Sequence, residues 1–211
     1  MNLKGVFSMK KISSIIAAAL LLSAVPANAY ADTDTEITPE QFAACDVNSD
    51  GYVDTYDVFY IAAVSQPQYS AALGGLENYG FTAEIEKNVL EYADLDGDDK
   101  VDRNECLAIY NYMKVNTECR IEFNTITDIR DVVKTMSSTV QAGDVDANGI
   151  INAVDASNVL KYYALTSTGA PFDTAVMLAA RHKGDMNGDK MVDSVDASLI
   201  LKQYAANSVE K

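Results

Sequence analysis

Oxygen-bearing side chains recur in this chain at one spacing, four times over. The first set is Asp46, Asn48, Asp50, Asp54 and Asp57, and the second is Asp94, Asp96, Asp98, Asp102 and Glu105. The third is Asp144, Asp146, Asn148, Asn152 and Asp155, and the fourth is Asp185, Asn187, Asp189, Asp193 and Asp196. Counted from the first residue of each set, they fall at positions 1, 3, 5, 9 and 12. Position 7 offers only its backbone carbonyl, so its side chain is free to vary: Tyr52, Lys100, Ile150 and Met191. Hard oxygen donors at this spacing suit a cation that takes roughly six to eight oxygen ligands, which is the chemistry of calcium. Position 8 is aliphatic in every copy (Val53, Val101, Ile151, Val192). Four matches sharing that apolar position are not an accident of acidic composition, and up to four calcium ions are expected.

Position 6 of such a loop turns sharply with positive φ and favours glycine. Gly51 and Gly149 comply, whereas Asp99 and Lys190 stand there in the other two copies. Aspartate tolerates left-handed geometry better than lysine. The loop at 185 is therefore expected to be strained or weaker.

These loops need helices to hold them. Apolar residues at helical spacing follow each one: Val58, Phe59, Ile61 and Ala62; Leu107, Ile109, Tyr110 and Met113; Val159, Leu160, Tyr163 and Ala164; Leu199, Ile200 and Tyr204. In the first half helices also precede the loops. Thr38-Pro39-Glu40 reads as cap, first-turn proline and first-turn acid, and Thr82 caps a helix over 83–93. A lone helix pair exposes its apolar stripe, so the loops are expected to work in pairs, 46 with 94 and 144 with 185. Their position-8 residues could then meet in a short ladder. The boundary falls within 116–140, where 126–133 reads as a helix leading into the second unit. Segments 65–80 and 166–171, with their Gly and Pro residues, read as connectors inside each pair.

The chain opens with Lys4, Lys10 and Lys11, an apolar run from Ile12 to Val25, and small residues before Ala29 and Ala31. This pattern predicts a secretory signal peptide cleaved after one of those alanines. The apolar run is short of the ~20 residues a membrane span needs. Removal of the three lysines leaves 13 basic residues against 31 acidic, a formal charge of −18. Such a chain repels nucleic acid and anionic membranes, and its self-repulsion opposes folding until cations neutralise the loops. Three cysteines (Cys45, Cys106, Cys119) make no disulfide framework; one bond among them or buried thiols are both open.

The residues point away from catalysis. The only histidine is His182, which excludes a histidine-based triad or metal site, and there is no tryptophan. Tyr110, Tyr112, Tyr162 and Tyr163 read as helix-packing aromatics rather than a sugar platform. Nearly every clustered acid is committed to a loop, which leaves no free pair for glycoside hydrolysis.

The second half repeats itself. The segment 143–164 aligns with 184–205, sharing a Gly-Asp start, Val-Asp-Ala-Ser and Leu-Lys at matching places. Aspartate stands at position 12 in both copies (Asp155, Asp196), and a helix runs directly from each loop. On these features residues 143–207 resemble a dockerin, a calcium-dependent module that attaches secreted proteins to cohesin domains of cellulosome-type scaffolds. The resemblance implies contact residues at loop positions 10 and 11 and at helix positions 17 and 18. Here these are Ala153, Val154, Leu160 and Lys161, and Ser194, Val195, Leu201 and Lys202. The two sets are nearly alike, so docking in two orientations related by a half-turn is implied. Leu160 and Leu201 could equally be core residues of the helix pair. The first half is either an EF-hand pair, given Glu105 at position 12 and an entering helix before 94, or a divergent second dockerin.

The expected fold is all-α: two EF-hand-like modules, each with two calcium loops and packed helices, after a signal peptide. The expected division is 1–31 signal peptide, 32–122 EF-hand-like module, 123–139 connecting helix or linker, and 140–211 dockerin. The expected function is a secreted, non-catalytic adaptor whose dockerin binds a cohesin of a polysaccharide-degrading complex, bridging two cohesins if both halves dock. The alternative is an extracellular EF-hand calcium buffer or sensor.

Overall fold

The computed structural model describes residues 36–66, 75–119, 121 and 126–209. The expected signal peptide lies outside the described residues, as do parts of the 65–80 connector and of the 116–125 segment. The described chain is helical: α1 (Pro39–Ala44), α2 (Thr55–Ser65), a 3-10 turn (Leu76–Tyr79), α3 (Ala83–Tyr92), α4 (Arg103–Asn116), α5 (Ile126–Met136), α6 (Ala153–Ser167), α7 (Ala175–Lys183) and α8 (Ser194–Val209). No described helix is long and apolar enough to cross a membrane.

The described residues divide into two compact units, bounded at Val115 and Asn116 and again at Arg130 and Asp131: the first takes those up to 115 with 126–130, the second 116–119, 121 and 131–209. Residues 116–122, which the sequence pattern placed with the first module, fall with the second.

In the first unit, helix starts follow their caps. The Thr38 hydroxyl accepts the Gln41 N–H, the Gln41 side chain returns the bond, and Pro39 opens the helix. Thr82 caps α3 through the Ile85 N–H. Phe42 of α1 stacks on Tyr112 of α4 with ring centroids 4.6 Å apart. The Asn88 amide of α3 donates to the Val47 carbonyl (2.9 Å), and Gln41 reaches the Leu95 carbonyl (3.3 Å). Each bond ties a helix of one loop to the other loop, so the loops at 46 and 94 share a unit. Val47, Ile61, Val89, Ile109 and Met113 form its buried core.

In the second unit α6 packs against both α7 and α8. The core is Val145, Ala156, Val159 and Tyr162, met by Phe172, Leu178, Ala179, Ala180, Ala197 and Ile200. Helix α7 was not foreseen. It is buried nearly all round, from Met177 to Arg181, so it lacks the apolar stripe that marks a surface helix. Its Thr174 cap and terminal Arg181-His182-Lys183, which complement the helix dipole, were legible signals. The loop at 185 thus has an entering helix after all. Gly184 joins helix to loop at close quarters: a Cβ there would run into the Ala180 carbonyl oxygen and the Val192 side chain.

One expectation fails. No ladder forms between position-8 residues among the described residues; the isolated bridge found there joins Cys119 to Phe172. The loops satisfy many of their own N–H groups with side chains, so strand pairing is not needed to satisfy them.

Candidate metal centres and docking face

Each loop is wired by its own acids. The position-1 aspartate accepts the position-6 N–H in every copy: Gly51 to Asp46 (3.0 Å), Asp99 to Asp94 (3.0 Å), Gly149 to Asp144 (2.9 Å) and Lys190 to Asp185 (2.9 Å). Position 5 accepts the position-7 N–H in three of them: Tyr52 to Asp50, Ile150 to Asn148 and Met191 to Asp189. The position-7 carbonyls of Tyr52, Lys100, Ile150 and Met191 are the backbone donors expected at each loop; that of Ile150 accepts the Asn152 amide at 3.1 Å.

Position 9 starts the exit helix. Asp54, Asp102, Asn152 and Asp193 accept the N–H two residues on, at 2.8, 2.6, 2.7 and 2.6 Å. Position 12 closes the box by accepting the position-9 N–H: Asp57 (2.9 Å), Glu105 (2.7 Å), Asp155 (2.9 Å) and Asp196 (2.9 Å). The ligand spacing is therefore also a helix-capping box, and the same residues that would hold an ion start the helix. The three aspartates do more. Their other oxygen accepts the position-2 N–H, of Val47 (3.0 Å), Val145 (3.0 Å) and Met186 (2.8 Å), so one buried carboxylate pins both ends of the loop.

All four position-12 acids are buried, and Asp54 and Asp144 with them. Burial holds the Asp57 carboxyl well above its ordinary range, and the charge of Asp54 adds to the effect. Burial likewise raises Asp155, Glu105 and Asp46. A bound cation would oppose that shift by favouring the charged forms.

The donor set fits calcium. Carboxylate oxygens of Asp94, Asp96 and Asp98 lie within 4.8 Å of one another, as do those of Asp144, Asp146 and Asp155. Oxygens ligating one ion at about 2.4 Å can be no farther apart than roughly twice that distance. The ligands are all oxygen, with no thiolate or imidazole to favour a softer metal.

The glycine question resolves differently from expectation. Every loop has two residues at positive φ, at positions 4 and 6: Ser49 and Gly51, Gly97 and Asp99, Ala147 and Gly149, Gly188 and Lys190. Loops lacking glycine at position 6 carry it at position 4. Each loop therefore places one non-glycine residue in left-handed geometry, and the loop at 185 is not singled out by number. Lysine at φ 67° is still the costlier occupant beside Asp99 at 63°.

The structure exposes all eight expected contact residues. Val154 is 54 % exposed, Leu160 44 %, Val195 52 % and Leu201 44 %. Between the two alternatives for Leu160 and Leu201, the core positions are taken instead by their neighbours Val159 and Ile200, both fully buried. On an ideal helix Val154, Leu160 and Lys161 fall on one side of α6, and Val195, Leu201 and Lys202 on the matching side of α8. Loop 46 differs: its positions 10 and 11, Thr55 and Tyr56, are buried.

Among known families, residues 92–164 match the model of the dockerin type I domain. The match takes in the loops at 94 and 144 and most of α6, whereas the internal repeat and the packing of α6 on α8 join the loop at 144 to that at 185. The loop at 144 and its exit helix are common to both spans. Comparisons with curated proteins and with solved structures found no match.

Proposed function

We propose that this chain, which carries a dockerin type I match, is a secreted, non-catalytic assembly protein that binds a cohesin in a calcium-dependent manner. A dockerin is a calcium-binding module that docks onto cohesins in cellulosome-type assemblies, and it performs no chemistry itself. The observation that carries this reading is the pair of matching exposed faces, Val154, Leu160 and Lys161 on α6 and Val195, Leu201 and Lys202 on α8. An apolar patch with a cationic rim, repeated twice on one small unit, suits a docking surface and serves no purpose in a helix core.

The division of labour follows from the same exposures. The dockerin module is the second unit, which adds Asn116–Glu122 and 131–139 to the expected 140–211. The first unit buries Thr55 and Tyr56 where the second exposes Ala153 and Val154. A bridge between two cohesins through a second such face is therefore the less favoured form, and the first unit is better read as an EF-hand-like cargo or spacer. Up to four calcium ions stabilise the chain, since clustered, partly desolvated carboxylates repel one another and oppose folding without a cation among them.

The buffer or sensor alternative calls for methionines lining a groove that opens on binding. Among the described residues only Met113, Met136 and Met177 stand on helices, too few to line such a groove.

The test is capture of the full chain by purified type I cohesin modules, in calcium and in chelator. Retention in calcium that is lost in chelator is expected. Calcium binding and folding without capture by any cohesin would return the protein to the buffer or sensor class.

A further inference from the structure

The four loops offset the charge at positions 3 and 5 in different ways. In the loops at 46 and 185 position 3 is asparagine, and its amide donates to the second oxygen of the position-5 aspartate: Asn48 to Asp50 (2.7 Å) and Asn187 to Asp189 (2.9 Å). In the loop at 144 the roles are exchanged, and the Asn148 amide donates to Asp146 (2.8 Å). The loop at 94 has aspartate at positions 1, 3 and 5, so neither position 3 nor position 5 can donate. Its three carboxylates nonetheless converge within 4.8 Å. The missing donor comes from position 7: the Lys100 ammonium lies 3.2 Å from the second oxygen of Asp98.

We infer that Lys100 is a built-in counter-ion that competes with calcium for Asp98 and holds down the calcium affinity of the loop at 94. This rests on the reading that the loop binds calcium. The carboxylates at positions 1, 3, 5, 9 and 12 make it the most acidic of the four, and affinity rises with ligand charge. Lys100 offsets one of those charges, and an arriving divalent ion must displace or repel it. The side chains of Lys100 and Asp98 are 72 % and 46 % exposed, so water screens the pair and its effect is moderate. That exposure also means a substitution at Lys100 leaves the core untouched, and the position-7 carbonyl is kept whatever the side chain.

The test is a calcium titration of the full-length 15N-labelled chain, following the Asp99 amide. That N–H donates to Asp94 and so reports the filling of this loop alone. Lys100→Gln should raise the affinity read at Asp99 by about three- to tenfold at low ionic strength. The gain should shrink towards nothing near molar salt, where charges are screened within about 3 Å. Lys100→Arg should titrate like the natural chain. Equal affinity for the Gln variant and the natural chain would overturn the counter-ion role while leaving calcium binding intact. No calcium-dependent shift at Asp99 in any variant would instead show that the loop is not a calcium site.

Discussion

Arg181 of α7 is buried and pairs with Glu118 at 2.5 Å, at the far end of a segment that precedes α5 in sequence. The guanidinium also lies over the Phe172 ring, 4.9 Å from its centroid, and donates to the Tyr162 hydroxyl (3.4 Å). The Phe172 N–H donates to the Glu118 carbonyl (2.9 Å), and Cys119 and Ile121 are buried beside it. The segment from Asn116 is thus a strap across the second unit rather than a free linker. Glu118→Ala should strand a buried charge. Because Glu118 is itself 45 % exposed, the expected loss is discounted to about 1–2 kcal/mol. Urea unfolding of the full chain measures it, and an Arg181→Met change added to Glu118→Ala should recover part of the loss. An unchanged midpoint for Glu118→Ala would mean the strap contributes nothing.

Asp155 joins the Val145 end of its loop to the Asn152 end, and is a calcium ligand in the proposed function. Asp155→Asn keeps the size and removes the charge. The stabilisation by calcium should fall by about 3–4 kcal/mol, the linkage expected from a site saturated 100- to 1,000-fold above its dissociation constant. Thermal unfolding in calcium and in chelator checks this. The variant should show a smaller gap between the two conditions than the natural chain.

Lys190 occupies left-handed geometry at φ 67°. Lys190→Gly should relieve the steric cost and stabilise the loop at 185 by about 0.5–1 kcal/mol, less than the full left-handed penalty because glycine loses more chain entropy. Asp99→Gly should gain less, since aspartate bears positive φ more easily. Denaturant titrations of the two variants side by side decide whether the order holds.

Leu160 and Leu201 stand at matching places on α6 and α8, each 44 % exposed. If either face can dock, Leu160→Asp or Leu201→Asp alone should weaken cohesin binding only about twofold, because one orientation remains. The double variant should lose binding by 100-fold or more, on the order of the cost of a central apolar anchor. Calorimetric titration separates this from a single working face, for which one of the two single variants would be as damaging as the double.

Cys45 and Cys106 are fully buried, and burial pushes both thiols up to about 12 from an ordinary 9.0, with the charge of Asp57 adding to the effect at Cys45. The folded chain therefore holds these protons more tightly than the unfolded one. That contribution to stability is complete below pH 9 and is lost as pH rises from 9 towards 12. Unfolding temperature should fall over this range in the natural chain and fall less in Cys106→Ala. Alkylation of the thiols at neutral pH should be slow in calcium and quicken in chelator, where opening is easier.

The loops were legible because their information is local. Positions 1, 3, 5, 9 and 12 lie within twelve residues, and the residues that would suit a cation also cap the following helix, as Asp54 with Asp57 and Asn152 with Asp155 do. The exchange of glycine between positions 4 and 6 was equally present in the sequence at Gly97 and Gly188, but its meaning depends on φ angles that only the folded backbone displays. Packing decided the rest. Leu160 and Val159 are both apolar neighbours on one helix, and their difference in burial is set by where α7 and α8 lie against α6. The same holds for Thr55 and Tyr56, buried where their counterparts on α6 are not. The strap at Glu118 rests on a partner about sixty residues away in the chain, and the burial of α7 on its packing against α6; such pairings follow from the shape of the core rather than from any short pattern of residues.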